Sequence, residues 1–172
     1  MGRDKARLPF GGGSLAGFVA RTVAEAATSA VLVGDPTLHH ELPYPVIADR
    51  YPGEGPLGGI LTALSHTAAD WNLVVACDMP GLSTDFLLRI LDAAEQSGAD
   101  ALVPAGPSGL PEPLCAVYHR GSLGRLEAAF GAGERKVMAA VSQLHAQVLA
   151  VAEVAVFQNV NTPEEWDAYG RK

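Results

Sequence analysis

Two hydrophobic periods alternate along the chain. Short apolar runs at residues 30–34, 45–49, 73–77, 100–104, 114–118 and 147–151 read as strands. The run Leu73-Val74-Val75-Ala76-Cys77 is apolar without alternation, the pattern of a strand buried on both faces of a parallel sheet. Between the strands, apolar residues recur at helical spacing. Leu15, Phe18, Val19, Thr22, Val23 and Ala26 fall on one face of a helix over roughly 15–28, with Ser14 as its cap. A second helix runs from Pro56, a residue suited to a first helical turn, to about residue 69. Ser83 opens a third that continues to about residue 96, with Gly98 as its left-handed stop. Residues 121–143 read as helical with a break around 131–133. Residues 1–13 read as a loop and 157–161 as extended. Thr162-Pro163-Glu164-Glu165 has the form of a capping box opening a last helix. Alternating strands and helices, with no repeat or linker, predict one α/β domain with a mostly parallel sheet.

Composition narrows the class. The chain has 172 residues, enough for one sizeable core, and 48% of them are hydrophobic, which excludes a disordered chain. No apolar run is long enough to span a bilayer. No signal-type apolar stretch follows Met1-Gly2-Arg3-Asp4-Lys5. Cys77 and Cys115 lie in apolar runs without CxxC spacing. They read as reduced core residues of a cytoplasmic protein. The net charge of −7 argues against broad nucleic-acid binding, while leaving room for a local basic pocket that takes a phosphorylated small molecule.

Candidate chemistry sits where the strands end. Asp78 follows the 73–77 run at the rim where open α/β sheets bind ligands. Its carboxylate is a hard donor suited to Mg²⁺, or else a cap that turns the chain into the next helix. Asp49 ends the preceding strand, and can accept from a ribose hydroxyl or a base amino group, or serve as a turn residue. Gly55, in Gly53-Glu54-Gly55-Pro56-Leu57-Gly58-Gly59, lets backbone approach a ligand closely. Lys5, beside Arg3 in a loop, can meet phosphate oxygens as a mobile point charge, or be a plain surface residue. Asn159 and Asn161 share a face if their segment is extended, and an amide oxygen there can complete a cation's shell. The pairs His119-Arg120 and Arg135-Lys136 read either as anion contacts or as solvated helix ends. His39-His40 read as solvated loop residues with no second ligand cluster.

Five stretches, in order, resemble the molybdenum cofactor guanylyltransferase family. They are Met1-Gly2-Arg3-Asp4-Lys5, Gly55-Pro56-Leu57-Gly58-Gly59, Ala76-Cys77-Asp78-Met79-Pro80, Pro113-Leu114 with Tyr118, and Asn159-Val160-Asn161-Thr162-Pro163-Glu164-Glu165. The resemblance implies a three-layer Rossmann-like nucleotidyltransferase fold. It implies transfer of GMP from GTP to the terminal phosphate of a molybdopterin cofactor, with pyrophosphate released and Mg²⁺ as the metal. It further implies Lys5 and Asp78 as catalytic residues, and Lys5, Asp49, Gly55 and Asp78 as GTP contacts. The metal ligands it implies are Asp78 and, as a second contact, Asn161. Molybdoenzymes or their chaperones are the implied recipients of the product. The attacking group belongs to the pterin phosphate, so no Ser/His/Asp or Cys/His arrangement is needed. In one respect the chain departs from the pattern. The family places an apolar strand and a glycine-rich loop ahead of the Met-Gly-x-Asp-Lys segment. Residues 1–172 are therefore expected to form a single nucleotidyltransferase-like domain, incomplete at its N-terminal side. A sister enzyme using CTP or a sugar phosphate, and a non-catalytic binding remnant, remain the alternatives.

Overall fold

A computed structural model describes residues 8–10, 12–37 and 41–157. Side-chain caps fix two of the helices where the sequence places them. Ser14 is extended, and its Oγ accepts from the Gly17 N–H at 3.2 Å, which starts α1 (Leu15–Ala27). Ser83 does the same for Phe86 at 3.3 Å and starts α3 (Thr84–Ser97), which Gly98 ends at φ 64°. Between them lie β3 (Leu32–Val33), β4 (Val46–Ile47), α2 (Pro56–His66) and β5 (Trp71–Val75). After α3 come β6 (Ala101–Ala105), β7 (Cys115–His119), α4 (Leu123–Gly131), α5 (Val137–Val141) and β8 (Ala146–Ala150). Residues 1–13 were expected to be loop throughout. Instead β1 (Pro9–Phe10) and β2 (Gly13–Ser14) form a minimal antiparallel hairpin, because Gly12 turns the chain at φ 83°. Residue 157, expected to be extended, ends a 3₁₀ turn, Ala155–Phe157.

Strands β5, β7, β6 and β8 form one sheet in that order. β7 is antiparallel to both neighbours and β6 is parallel to β8, so three of the four strands share a direction. The reversal has a simple cause. Residues 106–114 are too few for the crossover of about a dozen residues that a parallel pairing needs. β6 and β7 divide their side chains between two cores. Val103, Ala116 and Tyr118 face α2, α4 and α5. Leu102, Cys115 and Val117 face α1 and α3. The result is three layers, helix on sheet on helix.

β5 is less covered than its apolar run predicts, since all five of its residues are half-buried. β7 pairs with one of its edges. Beyond the other edge lies a cavity of about 400 Å³, bounded by residues 73–78 on one side and residues 30–33 on the other. Ala16 and Ala20 of α1 form one wall, and Gly59 and Ala63 of α2 the other. β3 and β4 pair in parallel as a separate two-stranded sheet on the far side of this slot.

The two cysteines part company. Cys115 is buried in β7, whereas Cys77 is exposed, because β5 stops at Val75 and leaves Cys77 in the following turn. Burial, reinforced by the charge of Glu112, pushes the Cys115 thiol up to about 12. A thiol reagent at neutral pH is therefore expected to modify Cys77 in the native chain and Cys115 only after unfolding. Equal labelling rates for both thiols would show that the β7 core is open.

Candidate functional site

The site is built at the end of β5. The Ala76 N–H donates to the Leu114 carbonyl at 2.7 Å, the last rung between β5 and the β7 side. The chain then turns through Cys77 and Asp78 before Met79 and Leu82 anchor it in the core. Gly81 is required by close approach. A Cβ there would lie 2.0 Å from the Ala155 carbonyl oxygen. Asp78 is thereby held at the mouth of the slot, and among the described lining residues it alone carries a charge. Its Oδ1 is buried and has no hydrogen-bond partner among the described residues. A buried acceptor left this way costs roughly 1–3 kcal/mol, so it calls for a ligand. No group of three His, Cys, Asp or Glu side chains gathers into a metal cluster among the described residues. Asp78 supplies one hard carboxylate donor of the kind a divalent ion takes.

The N-terminal turn of α2 faces the same slot through Pro56 and Gly59. Gly55 precedes it with φ 85° and ψ −178°, a conformation open only to glycine. Its carbonyl accepts from Gly58 N–H at 3.1 Å. The first turn carries no acidic residue and no side-chain cap, which leaves positive helix-end potential available to an anion.

Asp49 stands on the loop joining β4 to α2. Its Oδ1 accepts from the Tyr51 N–H and from Thr62 Oγ1, both at 3.0 Å. The Thr62 hydroxyl also lies 3.0 Å from the Gly58 carbonyl and accepts from Arg50 N–H at 3.1 Å. One carboxylate oxygen of Asp49 thus shapes the loop. Thr62 was not singled out by the sequence, because its partners are 12 and 13 residues away. Tyr118, part of the family-like pattern, is fully buried and donates its hydroxyl to the Pro113 carbonyl at 2.8 Å.

Not every candidate converges here. Lys5, Asn159 and Asn161 lie outside the described residues, as do Arg3 and the His39-His40 pair. His119 pairs in register with Trp71 and Cys115 with Val75, so His119-Arg120 stand at the opposite end of β5 from Asp78. His119 accepts from Gly121 N–H through Nδ1 at 3.1 Å and stacks edge-on with Trp71. Its role is to turn the chain. The Arg135 guanidinium is committed to protein groups, described below.

A strand-end carboxylate with an unanswered oxygen, beside a glycine-preceded helix N-terminus in a three-layer α/β domain, fits the class of nucleotide-handling α/β proteins. Comparison with known proteins narrows this. The chain belongs to the MobA-like NTP transferase domain family, whose model matches residues 1–148. A probable molybdenum cofactor guanylyltransferase of Methanothermobacter thermautotrophicus is 35% identical over 126 residues, covering 70% of this chain and 64% of that protein. The chain thus spans just under two thirds of that relative's length. One from Deinococcus radiodurans, with the same description, is 32% identical over 165 residues, covering 96% of this chain and 84% of that protein. Among solved structures, the molybdopterin-guanine dinucleotide biosynthesis protein A from Archaeoglobus fulgidus superposes with a TM-score of 0.83 at 28% identity. That superposition covers 97% of this chain and 89% of the other. Among the described residues no helix is long and apolar enough to cross a membrane.

Proposed function

We propose that this protein transfers GMP from GTP to the terminal phosphate of a molybdopterin cofactor, in the cytoplasm. The observation that carries the reading is the buried, undonated Oδ1 of Asp78 in the slot it shares with the α2 N-terminus. A pterin phosphate oxygen attacks the α-phosphorus of GTP. The bond from that phosphorus to the bridging oxygen breaks, and its electron pair leaves with pyrophosphate. Mg²⁺, when bound, neutralises charge on the phosphates. Asp78 would hold that ion and the nucleotide, and Asn161 would be a further metal contact. Asp49 offers Oδ2 to the guanosine while Oδ1 keeps the loop in shape. Gly55 lets its backbone lie against the nucleotide. Lys5 meets the phosphates as charge accumulates on them.

The test is a reaction with α-labelled GTP, Mg²⁺ and molybdopterin cofactor. A labelled guanine dinucleotide and one pyrophosphate per product are expected. Product from CTP in preference to GTP would assign the chain to a sister enzyme. Pterin binding without pyrophosphate release would make it a binding remnant. Lys5→Ala is expected to lower turnover and raise the KM for GTP. Lys5→Arg should restore only part, since a wide guanidinium follows a moving phosphate less well than a point charge. Equal GTP affinity in wild type and Lys5→Ala would leave Lys5 a surface residue.

A further inference from the structure

Glu54 stands between Gly53 at φ 81° and Gly55 at φ 85°. Positive-φ glycines on both sides of one residue give this loop tip more conformational freedom than L residues there would. The tip is nonetheless held. Arg135, in the turn between α4 and α5, donates from Nε to Glu54 Oε2 at 2.7 Å. The same guanidinium donates from Nη1 to the Phe130 carbonyl at 2.8 Å and to the Glu134 carbonyl at 2.9 Å. Its carbon lies 3.8 Å from the centroid of the Phe130 ring. The Phe130 ring in turn packs on Tyr51 at 4.7 Å. Tyr51 is the residue whose N–H Asp49 accepts. The turn carrying Arg135 is itself fixed, because Glu134 Oε1 accepts from the N–H groups of Arg135 and Lys136, both at 2.8 Å. Those bonds hold the Glu134 carboxyl below its usual range.

We propose that Arg135 is a positioning residue for the nucleotide. It clamps the Asp49-to-Gly55 loop onto α4 in the shape that offers Asp49 and the Gly55 backbone to guanosine triphosphate, and it touches no reacting atom. The inference rests on the GTP reading above and adds a residue to it. The Arg135–Glu54 pair is exposed, with side chains 40% and 50% accessible, so it contributes little to global stability. What it contributes is placement. A lysine keeps the charge but cannot reproduce the fork that serves Glu54 and two carbonyls at once, nor stack its plane on Phe130.

The test compares wild type, Arg135→Lys, Arg135→Ala, Glu54→Ala and the Arg135→Ala/Glu54→Ala double variant. The readouts are GTP affinity, steady-state kinetics, melting temperature and amide exchange at residues 53–55. Arg135→Lys and Arg135→Ala should raise the KM for GTP about tenfold, the loss expected for one charge-assisted hydrogen bond, with kcat within about twofold. Exchange at residues 53–55 should quicken while the melting temperature stays within about 2 °C. The double variant should bind GTP no more weakly than Arg135→Ala alone, because both changes release one clamp. An unchanged KM in both Arg135 variants overturns the proposal. So does a fall in kcat at constant KM, which would place Arg135 at the reacting atoms. A wild type that binds no GTP overturns the GTP reading and this role with it. A wild type that binds GTP, with variants that bind it equally well, overturns this role alone.

Discussion

Asp78→Asn is expected to lower kcat for guanylyl transfer by a factor on the order of 10²–10³ while leaving the fold intact. Asparagine has nearly the shape of aspartate, so the packing of Met79, Leu82 and Gly81 around the turn is undisturbed. The charge is what disappears. With it goes the hard, anionic donor that a divalent ion needs next to polyphosphate. The internal cost is small, since Asp78 Oδ1 accepts from none of the described residues. The ligand-free variant should therefore melt at or slightly above the wild-type temperature, because a half-buried charge whose Oδ1 has no donor among the described residues has been removed. Turnover at saturating Mg²⁺ and melting without ligand check both halves. Activity within a few-fold of wild type would take the carboxylate out of the mechanism. A marked drop in melting temperature would show that it has an internal partner.

Fusing an apolar strand of five or six residues, with a short loop, upstream of residue 1 is expected to raise the melting temperature by on the order of 10 °C. The reason is the slot between β3 and β5. Leu32 and Val33 of β3 and residues 73–75 of β5 border it, and Ala16, Ala20, Gly59 and Ala63 line it from the helices on either side. Such a space suits a strand buried on both faces. Each backbone hydrogen bond formed by an added strand would contribute about 0.5–1.5 kcal/mol. In a domain of this size about 1 kcal/mol moves the melting temperature by some 2–4 °C. Covering the edges should also reduce aggregation. Thermal unfolding of both forms, with and without Mg²⁺-GTP, is the check. If the 172-residue chain melts as high as the extended one and GTP raises both equally, the slot does not seat a strand.

Local signals were legible and distant ones were not. Ser14, Ser83 and Gly98 announce the ends of α1 and α3 because capping is chemistry among near neighbours. The position of Asp78 at a strand end is visible in the apolar run before it. Its unanswered oxygen is not, since that depends on every segment folded around it. Strand direction is equally hidden. An apolar run reads the same in either sense, and only the short 106–114 connection betrays the reversal of β7. The Cys77 reading failed for a related reason, because the run of apolar residues continues two positions past the last ladder residue of β5. Residues 13 and 81 apart in sequence, Thr62 from Asp49 and Arg135 from Glu54, meet only once the layers have stacked.

The contact of Gly81 with Ala155 also sets an order of events during synthesis. The turn that carries Asp78 rests on a backbone that emerges from the ribosome 74 residues later. At about 5–20 residues per second, that is a delay of roughly 4–15 s. During it, α1, α2 and β5 are already outside the tunnel, β7 joins them only about halfway through, and the 155–157 turn comes last. The nascent chain thus displays its apolar groove before its binding loop is finished, and that interval is when a chaperone has most to cover.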